Sequence, residues 1–232
     1  MTRPAAIFDL DGTLVDTAPD LLAALNVVLA DAKVAPVSEQ FGRRMIGHGA
    51  KAMIAGALRH HGLKATEERL APMHARFLDF YTANIAVHSR PFPAAVETLD
   101  RLAAAGVTLA VCTNKLETLA RQLLDELGLS GKFAAIVGPD TLDVCKPDPG
   151  HVLGAIERAA GDPGRAVMVG DSGLDMTAAT GAGVFAVAVD FGYPEMPVET
   201  LGADAIISHY EQLWDIAAPR LGIDAQATIS PA

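Results

Sequence analysis

Four polar clusters interrupt the apolar runs of this chain, each at or just beyond a run's end. Asp9-Leu10-Asp11-Gly12-Thr13 follows the run 5–8, and Thr113-Asn114 follows the run 107–112. Lys146-Pro147-Asp148-Pro149 lies on the loop after Val137. Gly170-Asp171-Ser172 follows the run 166–169, with Asp175 one helical turn beyond Asp171. Two carboxylates two residues apart leave a strand end on the same side, and Gly12 lets the backbone turn sharply there. Singly, these residues have plainer uses. Acid-plus-glycine clusters mark ordinary turns, Asn114 can cap the helix that follows, and a loop lysine is usually solvated. Together they bring acids, a hydroxyl and an ammonium to the exits of four strands, where open α/β sheets bind ligands.

The chemistry this set suits is phosphoryl transfer, which needs a cation for the phosphoryl oxygens, donors around them and a nucleophile in line. Carboxylates such as Asp9 and Asp171 suit a hard divalent ion, and Mg²⁺ takes one or two carboxylates plus waters and phosphate. Lys146 and the Thr113 hydroxyl would supply charge and a hydrogen bond to the same oxygens. With no Ser or Cys elbow and no glycine-rich lysine loop near a strand end, an aspartate is the best nucleophile available.

The elements that must position these residues can be read from hydrophobic pattern. Apolar runs at 5–8, 107–112, 133–137, 166–169, 184–189 and 203–207 are continuous rather than alternating, as expected of strands covered on both faces. Between them lie helical stripes: Val96, Leu99 and Leu102, entered through Pro93 and closed by Gly106; Leu116, Leu119, Leu123 and Leu127, closed by Gly128; and Val152, Leu153 and Ile156. Strand and helix alternate from about residue 93 onward, which predicts a doubly wound, mostly parallel α/β sheet with right-handed crossovers. The segment 16–91 breaks the rhythm. It shows no convincing strand but has amphipathic faces, Leu21, Leu22, Leu25, Val28 and Leu29 on one helix and Leu70, Met73, Phe77 and Tyr81 on another. It reads as a helical cap domain inserted into a catalytic core formed by 1–15 and 92–232. The last ten residues read as a frayed tail.

These motifs resemble those of the haloacid dehalogenase-like phosphatases. The family's four signatures match in order, as Asp9-Leu10-Asp11-Gly12-Thr13, Thr113, Lys146, and Gly170-Asp171-Ser172 with Asp175. The resemblance implies a Rossmann-like core and an inserted cap. It implies Asp9 as the nucleophile, forming an aspartyl-phosphate, and Asp11 as the acid that protonates the leaving group and later activates water. Thr113 and Asn114 would orient the phosphoryl group, with Lys146 holding both it and Asp9. Mg²⁺ would be bound by Asp9, the Asp11 carbonyl and Asp171, with Asp175 in support. The acid at Asp11 separates this chain from the dehalogenases, which need no leaving-group proton. One departure is Gly173-Leu174, where many close relatives carry Arg-Asn, and it bears on the fine positioning around the metal.

Specificity must come from the cap. Gly47-His48-Gly49 interrupts a helical region, with Arg43-Arg44 before it and Lys51 after it, which reads either as a helix–helix turn with solvated cations or as a basic cluster for an anionic substrate. The stretch Ile46-Gly47-His48-Gly49-Ala50 is similar to the cap loop of phosphoglycolate phosphatases, and Gly192-Tyr193 also resembles that subfamily. Arg43, Gly47, His48 and Gly49 are therefore the expected substrate contacts, and 2-phosphoglycolate is the leading substrate. Other phosphate specificities stay open: sugar phosphate, nucleotide, pyrophosphate, or a phosphoglucomutase-like transfer. So do a receiver-like domain and a catalytically idle binding protein.

Composition bounds the rest. The 232 residues are half hydrophobic, and 18 Lys and Arg against 28 Asp and Glu leave a net charge of −10. That balance argues against a nucleic-acid partner, and the partner expected from the motifs is a small phosphorylated metabolite. Two cysteines are too few for a disulfide scaffold, and both are expected to be inert buried thiols beside the site. No stretch has the length of a signal h-region or a membrane span, so a cytoplasmic enzyme is expected. Monomer and homodimer are not separated by sequence.

Overall fold

A strand with both faces covered must be apolar on both, and β1 (Arg3–Phe8) shows why the core runs do not alternate. Ala6 and Phe8 join one hydrophobic cluster while Ala5 and Ile7 join another on the opposite face. The computed structural model describes residues 2–224, so the expected tail falls, from residue 225 on, outside the described residues. After β1 come β2 (Val15–Asp16) and four helices, α1 (Ala18–Asp31), α2 (Glu39–Arg43), α3 (Ala50–His60) and α4 (Glu67–Ala83). The chain returns through β3 (Arg90–Pro91) to α5 (Ala95–Ala104), β4 (Thr108–Cys112), α6 (Glu117–Glu126), β5 (Ala135–Val137) and α7 (Pro149–Arg158). It ends with β6 (Gly161–Gly170), α8 (Gly173–Gly181), β7 (Phe185–Val189), β8 (Ala205–Ile207) and α9 (Leu213–Leu221).

All six expected runs are strands of one sheet, in the order β5-β4-β1-β6-β7-β8, and every pair is parallel. The chain winds outward from β1 to β4 and β5, then restarts on the other side with β6. β1 and β6 therefore flank the reversal of strand order, where the crevice of a doubly wound sheet opens. α7 and α8 cover one face, and α5, α6 and α9 the other.

The structure corrects the sequence reading in four places. The linkers at 15–16 and 90–91 pair as a two-stranded antiparallel ribbon, Val15 opposite Pro91 and Asp16 opposite Arg90. Two residues per strand are too few to carry a period-2 pattern, so no strand is legible there. Pro93 precedes rather than opens α5, which starts at Ala95 behind a left-handed Ala94. The stripe from Leu116 is also displaced. Leu116 is the residue before α6 and is 37% exposed, while Ala120, Leu123 and Leu124 make the buried face; on α7, Val152 and Ile156 are buried but Leu153 is not.

The helices between β2 and β3 build their own packing, with α4 against α1 and α3 through Leu70, Met73, Phe77 and Tyr81. Their attachment is specific. Buried Asp20 on α1 accepts hydrogen bonds from the backbone N–H of His88 and Ser89 and from the Ser89 hydroxyl, tying the return linker to the first helix.

Candidate active site

The carboxyl ends of β1, β4 and β6 and the loop after β5 bring two lysine–aspartate pairs together. Asp9 follows β1, its N–H donating to the Val169 carbonyl at 2.9 Å, and Thr113 follows β4, its N–H donating to the Val137 carbonyl at 2.9 Å. Lys146, 4% exposed, sends its ammonium to Asp175 Oδ1 at 2.6 Å and lies 2.9 Å from Asp9 Oδ1. The Asp9 contact has ion-pair distance but not hydrogen-bond direction, so Oδ1 is a buried oxygen without a hydrogen-bond partner. Asp171 accepts from the Thr13 hydroxyl at 3.0 Å and from the Tyr193 N–H at 2.7 Å. Asp175 occupies the third position of α8, where its Oδ2 accepts from both the N–H and the hydroxyl of Ser172. That reciprocal capping box fixes Asp175 although Gly173-Leu174 stands in the motif.

Two glycines make this close approach possible. Gly12 has φ +86°, and a β-carbon there would run into the Asp171 carboxylate and the Tyr193 ring; one at Gly192 would strike Asp171 and the Gly12 carbonyl. Burial pushes the Asp9 carboxyl up to about 6, with Lys146 opposing and Asp175 adding to the rise, and burial also holds Asp171 well above the ordinary carboxylate range. Lys146 stays above its usual range because Asp175 and Asp9 outweigh its own desolvation.

The carboxylates of Asp9, Asp171 and Asp175 offer oxygens within 4.8 Å of one another. With all three ionised and Lys146 charged, the cluster carries 1 − 3 = −2. A divalent cation matches that charge and an all-oxygen donor set, and Asp9 Oδ1 supplies an oxygen with no hydrogen bond to give up. The donors fit such an ion. The Asp11 carboxylate is not among them, since it turns away to a second lysine.

That lysine is Lys115, unremarked in the sequence. Its ammonium lies 2.9 and 3.2 Å from the two Asp11 oxygens and 2.7 Å from the Tyr81 hydroxyl of α4. The available signal was a lysine two residues past Thr113. Tyr81, read as core packing, is a polar contact as well. Asn114 does not cap α6: its Nδ2 donates to the Lys146 carbonyl at 3.1 Å, and its Oδ1 is buried without a partner.

Above these residues lies a cavity of about 240 Å³ between the sheet and the inserted helices. Asp9, Asp11, Thr113, Asn114 and Lys115 line its floor, while Gly47, His48, Gly49 and Lys51 line it from the loop before α3 and that helix's start. Arg43 is placed elsewhere. It bonds Asp16 and Glu39 and lies 5.2 Å from the centre of the Tyr193 ring, at the linker ribbon. The cysteines differ from the expectation in one respect. Cys112 is buried, its thiol pushed up to about 12 by desolvation, but Cys145 is exposed.

The pattern of the haloacid dehalogenase-like hydrolases matches residues 6–189. A phosphoglycolate phosphatase of Agrobacterium fabrum is 47% identical over 210 residues, 90% of each chain. An N-acetylmuramic acid 6-phosphate phosphatase of Pseudomonas aeruginosa is 36% identical over 218 residues, covering 93% of this chain and 95% of its own. Among solved structures, a predicted phosphoglycolate phosphatase from Haemophilus somnus superposes with a TM-score of 0.86 at 30% identity, covering 93% of this chain and 98% of its own.

Proposed function

The chain belongs to the haloacid dehalogenase-like hydrolases, and from that premise we propose that it is a Mg²⁺-dependent phosphomonoesterase working through an aspartyl-phosphate on Asp9, with 2-phosphoglycolate as its first substrate. The observation that carries this reading is the Asp9 carboxylate. It is buried at a strand end, paired with Lys146, with Oδ1 free of hydrogen bonds and facing the reversal point of the sheet.

In this reading an Asp9 oxygen attacks phosphorus, the ester P–O bond breaks, and the departing alkoxide takes its proton from Asp11. Asp11 then takes a proton from water as the water oxygen attacks phosphorus, releasing inorganic phosphate and the Asp9 carboxylate. Lys146 and the Thr113 hydroxyl hold phosphoryl oxygens, and Asn114 ties the Lys146 loop to β4. Asp9 and Asp171 would hold the ion, with Asp175 and the Asp11 carbonyl in support. Bound there, Mg²⁺ would supply positive charge against the phosphoryl oxygens.

The segment 16–91 acts as the cap in this proposal. His48, together with the first-turn N–H groups of α3, which lacks a side-chain cap and an acid in its first turn, suits the carboxylate end of the substrate, while Lys51 is paired with Glu67 at 2.7 Å. N-acetylmuramic acid 6-phosphate is also a phosphomonoester of a carboxylic acid, and Leu21, Met45, Met53, Phe77 and Leu116 in the cavity wall keep that second reading in play. A small metabolite as partner and two unpaired cysteines suit a reducing cytoplasm, and no helix of the described residues is long and apolar enough to cross a membrane. Release of inorganic phosphate from a panel holding both esters, sugar phosphates and nucleotides tests the assignment. The highest kcat/KM is expected on 2-phosphoglycolate, and a preference for an ester without a carboxylate contradicts it.

A further inference from the structure

We propose that Lys115 is a positioning residue for Asp11, aiming the carboxylate that passes the leaving-group proton, and that Tyr81 of the inserted helices completes its seat. The inference rests on the role given to Asp11 above and adds a residue that no motif in the sequence marks.

Three observations carry it. Asp11 sits on the turn after β1, and among the described residues Lys115 is the one side chain that hydrogen-bonds its carboxylate. A carboxylate on a turn has several staggered rotamers open to it, and contact through both oxygens selects one. Next, Lys115 is itself held from both ends. Its backbone N–H donates to Thr113 Oγ1 at 3.2 Å, its carbonyl packs so closely on Gly138 that a β-carbon there would not fit, and its side chain is 5% exposed. Finally, its donors are spent. Both Asp11 oxygens and the Tyr81 hydroxyl surround the ammonium, and the Tyr81 ring centre lies 4.6 Å away. Tyr81 is 1% exposed and stacked on Phe77, so the inserted helices present a fixed hydroxyl to the core. Lys115 therefore reaches the reaction through Asp11.

The test uses two esters with one enzyme preparation, so any loss of folded protein cancels in the ratio. 2-Phosphoglycolate expels glycolate as an alkoxide that needs a proton, whereas 2,4-dinitrophenyl phosphate expels a stable phenolate that does not. Lys115→Met is expected to lower the single-turnover rate of Asp9 phosphorylation by the alkyl ester about 100-fold, at the low end of a general-acid contribution, and to cost far less with the dinitrophenyl ester, whereas hydrolysis of phospho-Asp9, where Asp11 activates water, is common to both. Tyr81→Phe is expected to act in the same sense and more weakly. The double variant Asp11→Asn/Lys115→Met should be no slower than Asp11→Asn alone, because residues that act through one group are not additive. Equal losses in the phosphorylation rate on both esters overturn the proposal by making Lys115 merely structural. A raised KM with unchanged kcat overturns it by making Lys115 a substrate contact. If Asp11→Asn itself slows phosphorylation of Asp9 by both esters equally, the acid role of Asp11 falls, and Lys115 with it.

Discussion

At the scale of single residues, the site depends on side chains brought closer than their neighbours would ordinarily allow. Gly12 is the sharpest case, since its positive φ and the contact with Asp171 both exclude a side chain. Gly12→Ala is expected to fold but to displace the Asp9–Thr13 turn, lowering kcat/KM about 100-fold, as misplacement by an ångström does in comparable sites. Steady-state kinetics beside an unchanged circular dichroism spectrum check it. Asp9, Thr113, Lys146, Asp171 and Asp175 were legible in the sequence as a set, because acids, a hydroxyl and a lysine at four strand exits or the loops beyond them are an improbable coincidence in a purely structural sheet. Lys115 was not, because its value comes from a partner 104 positions away. Arg43 was misplaced for the converse reason: a cation near a glycine loop looks like a substrate contact until Asp16, Glu39 and Tyr193 are seen around it.

Among the elements, the loops that carry the motifs are held by buried polar groups, and these set the pH and stability behaviour. His151 at the start of α7 accepts from the Lys146 N–H at Nδ1, 3.2 Å, so the 3.1 Å contact of Nε2 with the Gly138 carbonyl assigns the proton to Nε2. Burial holds this imidazole below its usual range, against the pull of the Gly138 carbonyl. A histidine kept neutral in the fold contributes stability that is present above the unfolded value of about 6.5 and is lost as pH falls through it, because the unfolded chain then takes the proton first. His151→Gln should therefore flatten the decline in the urea midpoint between about pH 7 and pH 5. An unchanged slope would contradict this role. Asp20 makes the corresponding anchor for the inserted helices. Asp20→Ala strips acceptors from two backbone N–H groups and a hydroxyl, and is expected to cost about 2–4 kcal/mol in urea unfolding. The six core strands were readable because burial on both faces makes them continuously apolar. The β2–β3 ribbon was not, since its stability lies in cross-pairing of two linkers far apart in sequence, Val15 with Pro91 and Asp16 with Arg90.

On the scale of the whole molecule, an acidic chain must receive an anionic ester. The net charge of −10 opposes it, and in the proposed mechanism a divalent ion beside Lys146 would reverse the sign locally. Because Asp9 and Asp171 are raised by burial, such an ion should stabilise the fold as well as support turnover. Mg²⁺ is expected to raise the thermal midpoint of chelator-treated protein, and Asp171→Asn to abolish that rise; an equal rise in the variant would place the ion elsewhere. The insertion of helices after β1 was legible as a break in rhythm, whereas the cavity they form with the sheet was not, because its walls come from segments that meet only in the fold. The most direct test of the account is to charge Asp11→Asn with 2,4-dinitrophenyl phosphate, quench rapidly in acid and map the phosphorylated peptide by mass spectrometry. Phosphate on Asp9, absent when Asp9→Asn is added, is the expected result; phosphate on another side chain, or on none while turnover continues, would contradict the account.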